Sequence, residues 1–354
     1  HKDIIMHEVD INNFQGSYNE SLTFNIFLNG QSVRLTILGL GDKKKLSNEK
    51  IFRISSSITY KLTLLKNKMS SIDIFLPSSF TKDDCENVFL GLYNGHYAFD
   101  RYKTKKANLN DLNINIVLDS IKPNVFDRIL RRSQGVSKGV NMTRNLVNEQ
   151  PFVLTPEKMA EYSKLIAKNK NISCKVLDHV QLRKKGMNGI WDVGKGSSNL
   201  PRFIHLIYKG KSTKKKLRKV ALIGKGMTYD SGGLSIKPAD YMLTMKMDMA
   251  GAGCVLGVFE SLGQLQPENI EVHGIVPTAE NMLGPNAYKP DDIVNGLSGK
   301  TIEVINTDAE GRVILSDAIE YTNKLGVDEM IDLATLTGAC MAVSYTHLRA
   351  HETS

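Results

Sequence analysis

From residue 150 onward the chain alternates apolar runs with helix-like segments, and this alternation limits the possible folds more than any other feature. Helices are predicted at 154–169, where Thr155 is placed as an N-cap, and at 251–265. Strand-like runs lie at 202–208, 219–224, 271–276, 301–305 and 329–334. Nearly continuous apolar strands that are separated by helices are typical of a buried, mostly parallel central sheet. Residues 150–343 are therefore predicted to form an α/β domain.

The first part of the chain also mixes strands with helix, but it shows no cluster of chemically active residues. A helical pattern at 83–95 interrupts strand-like runs at 22–28, 33–38, 71–76 and 114–118. This pattern predicts an N-terminal α/β domain over 1–121. A helical stretch at 127–148 predicts a linking helix within 122–149.

Composition excludes several classes of protein. Hydrophobic residues make up 41% of the chain and charged residues 23%, as in an ordinary globular protein. The four cysteines are far apart and form no C-x-x-C pair, which argues against a disulfide framework or a thiolate metal site. No apolar stretch is expected to approach the roughly 18 residues of a membrane span. No signal-peptide core is visible near the start, so a cytoplasmic location is expected.

The formal net charge of +9 could attract nucleic acid. The lysines, however, come in separate bursts such as 42–46 and 211–220, without interleaved aromatic residues. This pattern is typical of solvated turns, and a nucleic-acid partner is not expected.

Three polar clusters lie where predicted strands end or helices begin. Lys225, Asp230 and Lys237 follow the strand at 219–224, Asp248 precedes the helix at 251, and "NTDAEGR" (306–312) follows 301–305. Ligands of α/β sheets gather at such positions, so these side chains are expected to face one crevice. Four carboxylates there would repel one another by several kcal/mol unless cations neutralised them. The residues therefore predict a pair of divalent metal ions.

Several of these segments, in this order, resemble the signature blocks of the leucine aminopeptidase (cytosol aminopeptidase) family. They are "GKGMTYDSGGLSIKP", "MKMDMAGAGCVLG", "NTDAEGRVILSDAIEY" and "DLATLTGA". The resemblance covers about residues 140 to 343, and the first 120 residues are similar to that family's variable N-terminal domain in pattern only.

The resemblance implies a role for individual residues. One metal would be held by Asp230, by Asp308 through its side chain and backbone carbonyl, and by Glu310. The second metal would be held by Lys225 as a neutral amine, Asp230, Asp248 and Glu310. Lys237 and Arg312 would be catalytic. The pocket for the first side chain of the substrate would be lined by Met245, Asn306, Thr335 and Gly338.

The implied activity is a two-metal aminopeptidase that removes the N-terminal residue, preferably leucine-like, from peptides through a metal-bridged hydroxide. Lys237 would stabilise the oxyanion and Arg312 would hold a bicarbonate ion that relays the proton. Ligand hardness favours Mn²⁺, Mg²⁺ or Co²⁺, whereas the resemblance favours Zn²⁺, and the sequence leaves the metal open. Expected partners are peptides with a free N-terminus and further copies of the chain in a homo-hexamer, with no membrane.

Alternative interpretations are an inactive fragment of such an enzyme and a nucleic-acid-binding relative. "GIWDVGKG" (189–196) approaches a P-loop, but Gly196 stands where the Mg²⁺-binding Ser or Thr is required. "SYTHLRAHETS" (344–354) has no apolar periodicity and is interpreted as a non-native tail that follows a catalytic domain incomplete at its C-terminus. The chain as written is expected to be poorly soluble and essentially inactive. Comparison with a version extended by the natural continuation of its transcript tests this expectation.

Overall fold

The structure, a computed structural model, describes residues 2–28, 30–63, 71–106, 113–118, 121–213 and 216–338. Its chain divides into two units, His1–Gln134 and Gly135–Ser354. The predicted tail at 344–354 and Cys340 lie outside the described residues. The other three cysteines, Cys85, Cys174 and Cys254, are free.

The first unit contains two small two-stranded sheets and a closely packed helix pair. Its helices are α1 (Lys2–Ile11), α2 (Asn48–Thr63) and α3 (Lys82–Gly95), and its strands are β1 (Ser21–Leu28), β2 (Gln31–Leu38), β3 (Ser71–Phe75) and β4 (Asn113–Val117). Strands β1 and β2 form an antiparallel hairpin, whereas β3 and β4 are parallel. A Cβ on Gly95 would lie 2.1 Å from the Ser56 carbonyl oxygen, so α3 approaches α2 closely because this position is glycine.

The sequence patterns predicted the four strands and α3 of this unit but missed two helices. Helix α1 buries no residue, and Ile5 and Val9, which are spaced as on one helix face, are only half-buried. Helix α2 buries Ile51, Ile54, Ser55 and Thr59, and the two polar residues interrupt the apolar pattern of its inner face. The boundary between the units falls within helix α4 (Pro123–Asn148), where a linking helix was predicted. The predicted domain limits remain predictions.

The second unit is built on a six-stranded mixed sheet. Its helices are α5 (Pro156–Ile166), α6 (His179–Lys184), α7 (Asn188–Gly194), α8 (Ala239–Met242), α9 (Ala250–Leu265) and α10 (Glu310–Asn323). Its strands are β5 (Ile172–Leu177), β6 (Arg202–Lys209), β7 (Arg218–Gly224), β8 (Gly226–Asp230), β9 (Ile270–Asn281), β10 (Ile293–Asn295), β11 (Thr301–Glu303) and β12 (Glu329–Leu333). The order is β12-β7-β9-β6-β5, and β8 also pairs with β9. Among the described strands, β12–β7, β7–β9 and β8–β9 are parallel, and the two pairings of β6 are antiparallel. The predicted α/β class is confirmed.

Alternating side chains of the sheet enter two hydrophobic clusters. Along β9, Ile275 and Ala279 pack in the cluster that contains α7 and α10, whereas Val272 and Val276 pack in the cluster that contains α5 and α9. Because successive strand residues point to opposite faces, the sheet is covered by helices on both sides. This double burial explains the nearly continuous apolar strands of the sequence.

One predicted strand of the central sheet is wrong. The apolar run at 301–305 supplies only the three-residue strand β11, which pairs with β10 in a separate antiparallel sheet. Of the two residues that follow β11, Val304 is buried and Ile305 is 82% exposed. The turn "NTDAEGR" therefore follows a short connection and not a buried core strand, although it still arrives at the polar site described below.

The segment Ala239–Leu265 is long and apolar enough to pass for a membrane span, contrary to the sequence-based expectation. Half of the most apolar 18-residue stretch in this segment is buried inside the protein. Helix α9 provides most of this segment, and Val255, Leu256 and Phe259 pack in the core cluster of the second unit. The apolar character of α9 is therefore explained by its packing in the core.

Candidate metal centre

Lys225 lies between β7 and β8, and its backbone is held from two sides. Its N–H donates to the Leu333 carbonyl oxygen (2.9 Å), and its own carbonyl oxygen accepts the Ala252 N–H (2.9 Å). These bonds connect the residue to the end of β12 and to the first turn of α9. A buried lysine in a fixed backbone position can present its ammonium group with little freedom.

Asp230 ends β8, and the loop that follows turns back to bring Lys237 beside it. The loop requires glycine, because Gly232 and Gly233 have φ of +86° and +65°. The Lys237 N–H donates to the Ser231 carbonyl oxygen (3.0 Å) and closes the loop. As a result, the Lys237 Nζ lies 2.9 Å from Asp230 Oδ2 and 2.5 Å from Asp308 Oδ1.

The turn at 306–312 is fixed by its own side chains and by the Asp230 loop. Asn306 Oδ1 accepts the Asp308 N–H (2.8 Å), which caps the 3₁₀ turn Thr307–Ala309 before Glu310 starts α10. The Thr307 hydroxyl donates to the Gly232 carbonyl oxygen (2.6 Å) and accepts the Ser235 N–H (2.8 Å). Thr307 therefore joins the turn that carries Asp308 and Glu310 to the loop after Asp230.

Asp248 reaches the same centre through Lys225. The Lys225 Nζ lies 2.9 Å from Asp248 Oδ2, 2.9 Å from Glu310 Oε1 and 3.0 Å from the Thr335 carbonyl oxygen. The Thr335 hydroxyl donates to Asp248 Oδ1 (2.8 Å). A Cβ on Gly311 would lie 2.8 Å from Lys225 Cε, so the absence of a side chain at position 311 leaves room for the lysine.

The electrostatics of the centre reflect burial opposed by ion pairing. Burial raises the pKa of Glu310 to about 7 and that of Asp248 to about 6, although the ammonium of Lys225 acts in the opposite direction on both. Burial also raises the pKa of Asp308. Burial lowers the pKa of Lys225 and of Lys237, but the neighbouring carboxylates outweigh it and raise both values. Four carboxylates thus share two ammonium groups, and cations would relieve the remaining repulsion.

The donor set fits a divalent cation. Asp230, Asp308 and Glu310 each offer a carboxylate oxygen, and these atoms lie within 4.8 Å of one another. Oε2 of the fully buried Glu310 accepts no hydrogen bond from any described residue. A buried carboxylate oxygen without a partner is costly unless a cation or ordered water satisfies it. Carboxylate oxygens are the ligands that hard divalent cations prefer.

The remaining predicted residues lie on the segments that surround the centre. Met245 is half-buried in the 3₁₀ turn Met245–Met247, whereas Asn306 and Gly338 are exposed. Arg312 is exposed in the first turn of α10. Thr335 is exposed, but its hydroxyl already contacts Asp248. The structure therefore brings the five residues predicted as metal ligands and Lys237 together, while the role of every predicted site residue remains a prediction.

The sequence analysis missed three residues that hold the centre. Asn281 donates to Asp230, and the Tyr288 hydroxyl donates to the carbonyl oxygen of Thr307 (2.7 Å). Asn281 could have been found, because it ends the apolar strand β9 beside Asp230. Tyr288 and Thr307 carry no comparable signal, since an isolated tyrosine or threonine is common in any turn.

The fold and the centre together define a class: an α/β protein with a group of carboxylates that could hold a metal ion. The catalytic-domain model of the cytosol aminopeptidase family matches residues 141–351, and the family's N-terminal-domain model matches residues 5–106. The chain belongs to the cytosol aminopeptidase family.

Curated relatives agree with this assignment. The chain is 42% identical over 335 residues to a "Probable cytosol aminopeptidase" of Aquifex aeolicus, covering 94% of this chain and 66% of that protein. A protein with the same description from Persephonella marina is 41% identical, with 93% and 66% covered. One from Campylobacter jejuni is 43% identical, with 84% and 62% covered. The chain thus spans slightly less than two thirds of the length of these relatives.

Proposed function

We propose that this chain, together with any natural continuation of its transcript, acts as a two-metal aminopeptidase that removes the N-terminal residue, preferably leucine-like, from peptides in the cytoplasm. The observation that carries this proposal is the group of carboxylates from Asp230, Asp308 and Glu310, in which the buried Glu310 Oε2 has no described hydrogen-bond partner. Membership of the family and the names of the relatives support the reaction class.

The proposed ligands divide between two metal positions. Asp230, Asp308 and Glu310 would hold one cation, and Lys225 and Asp248 would join Asp230 and Glu310 around the other. Bound metals supply Lewis-acid activation of water and of the scissile carbonyl. Zn²⁺ and Mn²⁺ are the proposed ions, and Mg²⁺ and Co²⁺ also suit oxygen ligands.

The residues of the chain would bind and orient the peptide. Lys237, whose side chain is 14% exposed, would stabilise the oxyanion of the first peptide carbonyl. The guanidinium of Arg312 would hold a bicarbonate ion that accepts the proton. Met245, Asn306, Thr335 and Gly338 would line the pocket for the first side chain. Thr335 would in addition orient Asp248, as its hydroxyl does here.

Hydrolysis of a leucyl anilide in the presence of Mn²⁺ or Zn²⁺ tests this proposal. The chain is assayed beside a version extended by any natural continuation of its transcript, because it spans only 66% of the relatives' length. Metal-dependent release of leucine, lost when the leucyl amine is acetylated, is expected from an active form. Equal hydrolysis of the acetylated reporter would contradict an aminopeptidase.

A further inference from the structure

Asn281 joins the two segments that carry the carboxylates of the metal centre. It is the last residue of β9 and lies opposite Asp230 in the parallel register with β8. Its Nδ2 donates to Asp230 Oδ1 (2.8 Å) and to the carbonyl oxygen of Thr307 (3.0 Å). Its backbone carbonyl oxygen accepts both the N–H (3.0 Å) and the hydroxyl (2.7 Å) of Ser231. One residue therefore spans the end of β8, the loop after it and the turn before α10.

The orientation of the Asn281 amide follows from its partners. A carboxylate oxygen and a backbone carbonyl oxygen can only accept hydrogen bonds, so the NH₂ group must face them. Oδ1 of Asn281 then lies toward Gly233, where a Cβ would be only 2.7 Å away. That oxygen is buried and has no hydrogen-bond partner among the described residues. The side chain thus leaves one polar atom unsatisfied while it makes the two bonds at the metal centre.

These bonds decide which oxygen of Asp230 remains available. Oδ1 of Asp230 accepts hydrogen bonds from Asn281 Nδ2 and from the Gly232 N–H (2.9 Å). Oδ2 faces the Lys237 ammonium, which also contacts Asp308. Two donors on Oδ1 hold the plane of the carboxylate and leave Oδ2 toward the Lys237 ammonium, which Asp230 shares with Asp308.

We propose that Asn281 is a positioning residue that orients the carboxylate of Asp230 for metal binding and fixes its distance to the turn that carries Asp308 and Glu310. This inference rests on the proposed metal centre. Hydrogen bonds to metal-binding carboxylates typically change metal affinity by about 10- to 100-fold when they are removed.

Titration calorimetry with Mn²⁺ on the metal-free chain tests the role of Asn281. The variant Asn281→Leu keeps the approximate volume of the side chain and removes its donor, and Asn281→Ser is a second variant with a smaller side chain. Asn199→Leu is the matched control, because Asn199 Nδ2 also donates to a carboxylate, that of Glu280 (3.1 Å), which is not a proposed ligand. Thermal unfolding of each metal-free variant reports on folding separately.

We expect both Asn281 variants to bind Mn²⁺ about 10- to 100-fold more weakly than the wild type, with the control within about twofold. The increase in the thermal unfolding midpoint on adding Mn²⁺ should also be smaller for the Asn281 variants than for the wild type and the control. Variants that unfold earlier without metal but keep wild-type Mn²⁺ affinity would give Asn281 a structural role only and overturn the inference. Wild-type chain that binds no Mn²⁺ would overturn the proposed metal centre and this inference with it.

Discussion

Lys225 carries a charge that is almost completely buried. Its side chain is only 3% exposed, and its ammonium group lies between the carboxylates of Asp248 and Glu310. An unpaired charge in such a place costs several kcal/mol, so the two ion pairs are needed to keep the lysine buried. The proposed role as a metal ligand requires the neutral amine, because an ammonium has no free lone pair. Lys225 is therefore a counter-ion in this structure and a ligand only when metal replaces its proton.

Lys237→Ala should lower kcat by about 10²- to 10³-fold while metal content stays at the wild-type level, because Lys237 is proposed to stabilise an oxyanion and not to bind metal. Steady-state kinetics with a leucyl anilide and metal analysis of the same sample measure both quantities. A higher KM with unchanged kcat would mean that Lys237 only binds substrate.

At the scale of residues, the sequence predicted which charged side chains lie together but not the residues that hold them. Asp230, Asp248 and Glu310 could be expected in one centre because ligands of α/β sheets gather where strands end and helices begin. Thr307 could not, since its hydroxyl acts on the Gly232 carbonyl oxygen, 75 positions away in the sequence. Such a contact depends on the tertiary fold, which a short motif does not encode.

Helix α9 approaches α4 closely, and glycines on both helices, Gly257 and Gly139, leave room for this contact. A Cβ on Gly257 would lie 2.2 Å from Thr143 Oγ1 and 2.5 Å from the Gly139 carbonyl oxygen. Gly257→Ala should therefore destabilise the protein by about 1–3 kcal/mol, the usual range for overpacking. Urea unfolding measures the change.

Gly253→Ala provides the control on the same helix. The nearest atom to a new Cβ there is the flexible Met249 Cε at 3.3 Å, and alanine favours the helix by about 1 kcal/mol over glycine. This variant should be neutral or slightly more stable. Equal destabilisation by both substitutions would show that the α4–α9 contact does not distinguish them.

A hydrogen-bonded chain crosses one face of the sheet from α10 to β9. His205 Nδ1 lies 3.0 Å from the Tyr321 hydroxyl, His205 Nε2 lies 2.9 Å from His273 Nδ1, and His273 Nε2 lies 3.0 Å from Glu271 Oε1. A carboxylate that accepts from His273 assigns both imidazoles as neutral Nε2–H tautomers, with Tyr321 donating at the other end. Burial lowers the pKa of His205 to about 4 and also lowers that of His273.

These hydrogen-bonded histidines should make the protein less stable as the pH falls from about 6.5 to about 4. In that window the unfolded histidine binds a proton and buried His205 does not, so the free energy of unfolding falls by up to about 1.4 kcal/mol per pH unit. Lys175 and His273 oppose protonation of His205, and Glu271 and Lys219 act in opposite directions on His273. Urea unfolding of metal-free protein at several pH values measures the slope.

His205→Phe removes this titration while all other ionisable groups remain. The variant should lose stability at pH 7, because two hydrogen bonds disappear, but its stability should depend less on pH between 6.5 and 4. An unchanged slope in the variant would mean that His205 does not titrate as its burial requires.

Helices and strands were predictable where the apolar periodicity of a segment and its length both indicated the same element. Strands β6, β7 and β12 and helix α9 lie close to their predicted positions, because a doubly covered sheet imposes long apolar runs. The strand predicted at 301–305 was wrong, because four apolar or β-branched residues in a run of five cannot reveal whether their partner is the central sheet or a short hairpin.

For the whole molecule, the resemblance predicts a homo-hexamer, and the second unit exposes apolar side chains in the segment between Lys237 and Asp248. Tyr241 and Leu243 are 73% and 74% exposed. We expect sedimentation of the active form to give about six times the subunit mass. A monomer with full activity would contradict this prediction.

The most direct test of the proposed centre is the number of Mn²⁺ ions that the chain binds at equilibrium, measured by dialysis and metal analysis. The wild type should bind about two ions. Glu310→Gln should reduce both occupancies, because Glu310 is proposed to bridge the two metal positions and its buried carboxylate would lose its charge. Glu320→Gln, on the same helix but paired with Lys324, should leave both unchanged. Wild-type protein without bound Mn²⁺, or a Glu310→Gln variant that keeps two ions with unchanged affinity, would contradict the two-metal centre.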